Sequence, residues 1–158
     1  MNGIERVVWL FAANPGETPR PLAKIASGGE LSRIMLAIKA ATAATADVPT
    51  LLFDEVDAGI GGAVAETVGR KLAALAAKRQ VICITHLPQI AACADHHFVV
   101  RKHARKGRSR TSADRLSDAE RIEELARMLA GVTVTQEARR HAAALRRSGR
   151  SDATRKTL

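Results

Sequence analysis

The sequence predicts an α/β fold with a parallel sheet, and two observations lead to this prediction. Short apolar strands, at 50–53 and 81–85, alternate with segments of helical character. Polar side chains follow these strands directly, as at Asp54 and His86, where ligands of such sheets bind. With 158 residues, 46 % of them apolar, the chain suits one compact domain with an aliphatic core, since aromatic residues make up only 3 %.

The remaining elements follow from local patterns along the chain. Residues 4–11 are rich in β-branched and aromatic side chains, which predicts a strand that ends before the turn at 14–16. A further strand is predicted over 97–100, and the last ten residues are expected to fray. Helices are predicted from apolar spacing and start signals over 31–46, 63–78, 88–94, 118–130 and 135–147.

The net charge of +9 is concentrated in two segments. Residues 101–115 and 139–158 each carry seven basic side chains and one acidic side chain. Such segments attract polyanions without sequence preference. A solvated surface is favoured, because no aromatic residue is interleaved for base stacking. The candidate DNA contacts of the first segment are Arg101, Lys102, Arg105, Lys106, Arg108 and Arg110.

Cysteine usage and hydropathy predict a cytoplasmic protein without a membrane partner. Cys83 and Cys93 lie among apolar residues and make no disulfide framework, which is typical of a reducing compartment. No apolar run approaches the ~20 residues that span a bilayer, and no charged-then-apolar leader opens the chain. A zinc site is not expected, because the candidate ligands fit no zinc spacing: Cys93, His96, His97 and His103.

Three clusters of residues could carry chemistry. Asp54 and Glu55 follow a buried strand, where the first could hold Mg²⁺ through water and the second could polarise an attacking water. Ser27-Gly28-Gly29-Glu30 opens a helix, and its glycines would let the backbone approach an anion. His86 follows the next strand and could bind a phosphate. The structural alternatives are a strand with a polar end, an ordinary N-cap and a structural histidine.

Taken together, the order and spacing of these clusters resemble the C-terminal half of an ABC-type ATPase head of the SMC class. Residues 27–30 resemble the signature motif, 51–55 resemble Walker B with its catalytic glutamate, 56–59 resemble the D-loop, and His86 resembles the switch histidine. The wording of the motifs is similar to the RecN family of bacterial DNA repair proteins. This similarity extends over roughly residues 3–147, and its clearest runs are 14–17, 24–33, 53–62, 85–91 and 124–131.

The resemblance implies a dimeric ATPase that acts in recombinational repair of DNA double-strand breaks. ATP and Mg²⁺ would be its cofactors, and ATP would lie between two heads. In one head Asp54 would assist Mg²⁺, Glu55 would activate water and His86 would contact the γ-phosphate. The residues implied to serve the partner's nucleotide or to couple the two sites are Ser27, Gly28, Gly29, Glu30 and Asp57. DNA is an implied partner of the complete protein, which would be associated with the nucleoid.

The sequence departs from the family pattern in one large respect. A Walker A loop needs G-x-x-x-x-G-K-[ST], and this sequence contains no Gly-Lys dipeptide. The resemblance therefore implies a half-head that needs a partner, either the N-terminal half of the same head or a second RecN-like protomer. We expect this chain alone neither to bind ATP tightly nor to hydrolyse it. We also expect it to expose apolar sheet surface and to self-associate.

Four segments follow from this interpretation. Residues 1–100 would form the signature, Walker B and switch-histidine part, 101–117 a basic connecting loop or hairpin, 118–147 a helical pair and 148–158 a basic flexible tail. One alternative function is a non-enzymatic remnant that binds nucleic acid or dimerises. A stand-alone metal-dependent phosphohydrolase using Asp54, Glu55, Asp57 and His86 ranks last, because it lacks a phosphate-binding loop.

Overall fold

The computed structural model describes residues 7–12, 16–22, 28–42, 48–105 and 108–154, and it confirms the α/β class. The elements described in chain order are β1 (Leu10–Phe11), β2 (Arg20–Pro21), α1 (Gly28–Ala41), β3 (Thr50–Phe53), α2 (Gly62–Ala76), β4 (Gln80–Cys83), α3 (Pro88–Ala91), β5 (Phe98–Arg105), β6 (Arg108–Arg115), α4 (Asp118–Ala130) and α5 (Gln136–Thr154). Within the described ranges, no helix is both long and apolar enough to cross a bilayer.

The centre of the fold is a β–α–β unit made of β3, α2 and β4. The two strands pair in parallel, with Leu51 opposite Val81 and Phe53 opposite Cys83. The pairing continues one step further, because the backbone N–H of Ile84 donates to the carbonyl of Phe53 at 2.9 Å. A parallel pair needs a crossover, and α2 supplies it. Both strands therefore end at the same edge, and the residues that follow them meet there.

The main core lies between one face of this strand pair and the helices. Side chains alternate along β3, so Leu51 and Phe53 point inwards and are buried, whereas Leu52 points outwards. They pack in one cluster with apolar residues of α1 and α2, among them Leu36 and Leu72. Each fully buried aliphatic side chain of this kind contributes about 1.5–3 kcal/mol to the free energy of unfolding. This packing fixes the orientation of β3 and hence the direction in which its carboxyl end points.

A second, smaller core joins α3, α4 and α5. It consists largely of small side chains, including Ala92, Ala126 and Ala142, around the fully buried Leu125. Helix α4 begins at a capping box, in which the Ser117 side chain accepts from the backbone of Glu120 while the Glu120 side chain accepts from the backbone of Ser117. The capping box and the packing of Leu125 stabilise this helix. The helix predicted over 118–130 is confirmed.

Helix α5 runs to Thr154, although the sequence predicts a helix only to 147 and a flexible tail from 148. The difference has a packing cause. A Cβ on Gly149 would lie 2.8 Å from the carbonyl oxygen of Ala92, so the last turns of α5 pack closely on the end of α3. Arg146 strengthens this contact by donating to the same carbonyl at 3.1 Å. Residues 155–158 lie outside the described part of the chain.

The predicted strand over 4–11 is wrong for residues 7–9, and residues 4–6 lie outside the described part. Within residues 7–11 only β1 forms a ladder, a short antiparallel one with β2, and one further hydrogen bond joins the backbone N–H of Leu22 to the carbonyl of Trp9 at 2.8 Å. Val7, Val8 and Trp9 are exposed, so no packing favours an extended strand there. By contrast, the strand predicted over 97–100 is longer than expected, since β5 and β6 form a hairpin in which each strand has eight residues.

The outward face of the β3–β4 pair is apolar and uncovered within the described residues. Leu52, Ile82 and Ile84 are 65 %, 47 % and 56 % exposed, and Leu52 and Ile82 are register partners. Parallel sheets are normally covered on both faces. Among the described residues, these side chains form an apolar surface of the kind that marks an interaction site.

This face predicts self-association through β3 and β4. We expect the double variant Leu52→Thr/Ile82→Thr to weaken concentration-dependent association in sedimentation velocity, because threonine suits a strand and both changes remove apolar surface. Val132→Thr is the matched control, since Val132 is an exposed aliphatic residue away from the sheet. Equal association of the double variant and the control would contradict this interpretation.

Candidate functional site

The loop after β3 turns sharply at the two predicted carboxylates. Asp54 Oδ1 accepts from the backbone N–H of Glu55 at 2.9 Å, and the carbonyl of Glu55 accepts from the N–H of Ala58 at 3.1 Å. Glu55 has a φ of 57°, which makes it the one residue other than glycine with a positive φ in the described part of the chain. An L-residue in this conformation is strained by about 1–2 kcal/mol. The turn therefore sets the direction of the Glu55 side chain against the local backbone preference.

The start of α1 packs directly on this loop. A Cβ on Gly28 would lie 2.5 Å from Glu55 Oε2, and a Cβ on Gly29 would lie 2.7 Å from the Cβ of Ala58. A side chain at position 29 would therefore require the loop to move, whereas one at position 28 would require only the Glu55 carboxylate to turn away. The predicted Ser27 lies outside the described residues, and Glu30 lies in the first turn of α1.

Two polar residues of α1 donate hydrogen bonds to backbone carbonyls of this loop. Ser32 Oγ donates to the carbonyl of Asp54 at 2.9 Å, and Arg33 Nη1 donates to the carbonyl of Ala58 at 2.8 Å. Sequence reasoning assigned neither residue a role. The signal that could have identified them is their position one turn after the two glycines, on the helix face that approaches the loop.

Asp57 joins the loop to the end of β4. Its Oδ2 atom accepts from Thr85 Oγ1 at 2.6 Å and from the backbone N–H of His86 at 2.9 Å. The same oxygen lies 2.9 Å from His86 Nδ1. Burial raises the pKa of Asp57, but the hydrogen bonds from Thr85 and His86 outweigh it and bring the pKa below its ordinary value. The carboxylate is therefore ionised at neutral pH, and it points into its own chain.

Cys83, at the end of β4, is not a nucleophile. Burial, together with the negative charges of Asp57 and Asp54, raises the pKa of its thiol to about 12. The thiolate that nucleophilic chemistry requires is therefore absent near neutral pH.

The residues brought together at this edge combine two exposed side chains with one buried carboxylate. Glu55 and His86 are exposed, whereas Asp57 is buried behind them. No group of three potential metal ligands occurs among the described residues. Asp54 suits an Mg²⁺ ion that keeps most of its water and takes further ligands from a nucleotide, which is how proteins commonly hold this ion.

The basic segment forms the β5–β6 hairpin, and it is separate from this edge. Arg101, Lys102 and Arg110 have exposed side chains. The register puts Arg101 opposite Ser112 and His103 opposite Arg110, so Arg101 and Arg110 share a face, whereas Lys102 belongs to the other. The backbones of Arg105 and Arg108 pair with each other, and Lys106 lies outside the described residues. Arg101 also pairs with Asp114 at 3.3 Å, which reduces the positive charge of its face.

Known proteins similar to this chain are named DNA repair protein RecN. The protein from Xylella fastidiosa (strain 9a5c) is 54 % identical over 143 residues, which cover 90 % of this chain and 25 % of the relative. The protein from Streptomyces coelicolor is 49 % identical over 151 residues, covering 96 % and 26 %, and that from Bacillus subtilis is 47 % identical over 140 residues, covering 89 % and 24 %. The chain thus spans about a quarter of the length of the curated relatives it matches.

Two further comparisons complete this result. No family model matches the chain. A solved structure from work on ATP-driven dimerization and DNA-stimulated activation of SMC ATPases is 25 % identical, with a TM-score of 0.41 and coverage of 75 % of this chain and 79 % of that chain.

The positive φ of Glu55 leads to a stability prediction. We expect Glu55→Gly to be more stable than Glu55→Ala by about 0.5–1 kcal/mol in urea unfolding, because both variants lose the carboxylate but only glycine relieves the strain. In an ordinary turn the alanine variant would be the more stable of the two, since glycine loses more backbone entropy on folding. An alanine variant as stable as the glycine variant would show that the turn is not strained.

Proposed function

Because this chain is a member of the RecN family of DNA repair proteins, we propose that it supplies the C-terminal half of an SMC-type ATPase head that acts in recombinational repair of DNA double-strand breaks. The observation that carries the proposal is the meeting of three motifs at one sheet edge. Gly28 and Gly29 at the start of α1 touch the loop of Glu55, and the same loop reaches His86 through Asp57. Partial heads of this kind become active only when a second element brings the nucleotide.

Each exposed group at the edge has a proposed role in ATP hydrolysis. Glu55 is the general base that orients and activates water, and its strained turn presents the carboxylate to solvent. His86 contacts the γ-phosphate from the neighbouring strand. Asp54 would hold Mg²⁺, which when bound neutralises developing charge on the phosphates. The start of α1, with Ser27, Gly28, Gly29 and Glu30, would serve the nucleotide of a partner, since the first turn of a helix suits an anion.

The missing components define the partner. The sequence has no Gly-Lys dipeptide and hence no Walker A loop, so the loop that cradles the β-phosphate must come from another segment. We propose the N-terminal half of the same head, with a second RecN-like protomer on the side of α1. The uncovered face of Leu52, Ile82 and Ile84 supports this partner, since a further layer of the head would bury it. We expect the assembled protein to work in the cytoplasm, at the nucleoid.

Binding of nucleic acid without catalysis is the second candidate function. It is favoured by the exposed hairpin, where Arg101, Lys102 and Arg110 project from an eight-residue ladder far longer than the other strands. A stand-alone phosphohydrolase has less support. The described residues offer neither a phosphate-binding loop nor three metal ligands in one cluster.

ATP turnover distinguishes the half-head from the other two functions. We expect no Mg²⁺-dependent turnover by the chain alone and turnover after addition of a separately purified N-terminal half that carries a Walker A loop. In that mixture Glu55→Gln should lower kcat by about 10²–10⁴-fold, because it removes the general base and keeps the shape of the side chain. Glu66→Gln on the exposed face of α2 is the matched control and should leave turnover unchanged.

Each other outcome of this experiment supports a different function. Turnover by the chain alone would establish the stand-alone hydrolase, and no turnover in the mixture would favour the non-enzymatic module.

The salt dependence of DNA binding tests the hairpin. If Arg101 and Arg110 contact phosphates, we expect the double alanine variant to bind duplex DNA more weakly and to lower the slope of log K against log salt by about 2, or roughly one per contact. Arg70→Ala is the control, because Arg70 is an exposed arginine of α2 outside both basic segments. An unchanged slope would identify the hairpin as a solvated surface.

A further inference from the structure

The side chain of Asp57 is buried within its own chain, whereas the resemblance of its motif implies a role between two heads. Its side chain is only 6 % exposed, whereas the side chain of His86 is 75 % exposed. One oxygen, Oδ2, receives Thr85 Oγ1 at 2.6 Å, the backbone N–H of His86 at 2.9 Å and His86 Nδ1 at 2.9 Å. The carboxylate thus faces inwards and touches the ring of His86 from behind, so it is turned away from any nucleotide or partner at the surface.

The chemistry of this contact determines where the ring proton lies. An ionised carboxylate can only accept hydrogen bonds, so His86 Nδ1 must carry a proton to make a hydrogen bond with Asp57. In the neutral ring the lone pair is then on Nε2, at the opposite corner of the imidazole. The Thr85 hydroxyl gives its proton to Asp57 and accepts from the N–H of Leu87 at 3.0 Å, which fixes the direction of the network.

On the basis of the proposed function, we propose that Asp57 is a positioning residue for His86. With Thr85 behind it, Asp57 holds the ring in one orientation and in the Nδ1–H tautomer, so that Nε2 faces the nucleotide and its lone pair can accept a hydrogen bond from a water at the γ-phosphate. Asp57 itself does not touch the nucleotide. This role differs from the expected contact across a dimer interface, which would require an outward-facing carboxylate.

The loop is braced so that this support is rigid. Arg33 Nη1 donates to the carbonyl of Ala58 at 2.8 Å, and Ser32 Oγ donates to the carbonyl of Asp54 at 2.9 Å. These contacts hold the backbone on both sides of Asp57 against α1. An exposed imidazole without such support would sample several rotamers and both tautomers. Nε2 of His86 would then face the nucleotide only part of the time. Misplacement of a reacting group by about 1 Å costs up to about 10²-fold in rate.

The tautomer of His86 tests the proposal in the chain as it exists. We would record long-range ¹H–¹⁵N correlations of the histidine rings at pH 7.5 and assign His86 by its loss in His86→Gln. The expected result is an Nδ1–H ring for His86 in the unmodified chain. In Asp57→Ala we expect a shift towards the Nε2–H form that free histidine prefers in water, and a smaller shift in Thr85→Val. Asp118→Ala removes an exposed aspartate of α4 and should change nothing at His86.

Two results would overturn the proposal. One is an Nε2–H ring in the unmodified chain, which needs no variant and therefore holds even if Asp57→Ala fails to fold. The other is an unchanged His86 ring in a folded Asp57→Ala.

Turnover in the mixture with the N-terminal half then separates positioning from contact with the nucleotide. If Asp57 acts through His86, Asp57→Ala should lower kcat by about 10²-fold with little change in KM, and Asp57→Ala/His86→Ala should be no worse than His86→Ala alone. Independent, multiplying losses would overturn the proposal. Absence of turnover in the unmodified mixture would instead reject the proposed function, and the tautomer result would still decide the role of Asp57.

Discussion

The parallel register of β3 and β4 is the constraint on which the rest of the structure depends. Because Leu51 lies opposite Val81 and Phe53 opposite Cys83, the residues after both strands emerge side by side. A slip of one residue in β3 would turn Leu51 and Phe53 out of the core and Leu52 into it, and it would separate Asp57 from His86. Burial of two large apolar side chains therefore enforces the geometry of the polar edge, although neither side chain takes part in the chemistry.

The parts of the fold that the sequence predicts well are those with strong local signals. The strand over 50–53 and the helix over 118–130 have the predicted bounds, the first from a compact apolar run and the second from a capping box and an apolar stripe. The parts it predicts poorly depend on distant contacts. The end of α5 depends on Gly149 against Ala92, and residues 7–9 lack the neighbouring strand that a strand requires.

The same distinction applies to the candidate site. Asp54 and His86 could be placed at one sheet edge from the pattern of strands alone, and the structure brings the residues that follow both strands together there. The inward direction of Asp57 could not be predicted, since it follows from the turn at Glu55 with its φ of 57°. The role of Arg33 could not be predicted either, because its contact with Ala58 joins residues 25 positions apart. Loop geometry and side-chain contacts across long sequence separations have no periodic signature.

The apolar outward face of β3 and β4 and the exposed carboxylate of Glu55 have one explanation in the proposed head. An N-terminal half would cover the first and bring a nucleotide to the second. The basic hairpin shares no residue with this edge, so the proposed DNA contact and the proposed nucleotide contact can be tested by separate substitutions.

The most direct measurement of the central claim is the association of this chain with an N-terminal half that carries a Walker A loop. Titration calorimetry with the Glu55→Gln chain would measure it with and without Mg²⁺–ATP. The proposed head predicts a 1:1 complex that is weakened by Leu52→Asp. That change puts a charge on the outward face of β3 and β4, which the N-terminal half would cover. The absence of any complex, or a complex indifferent to Leu52→Asp, would contradict the claim that this chain is half of a head.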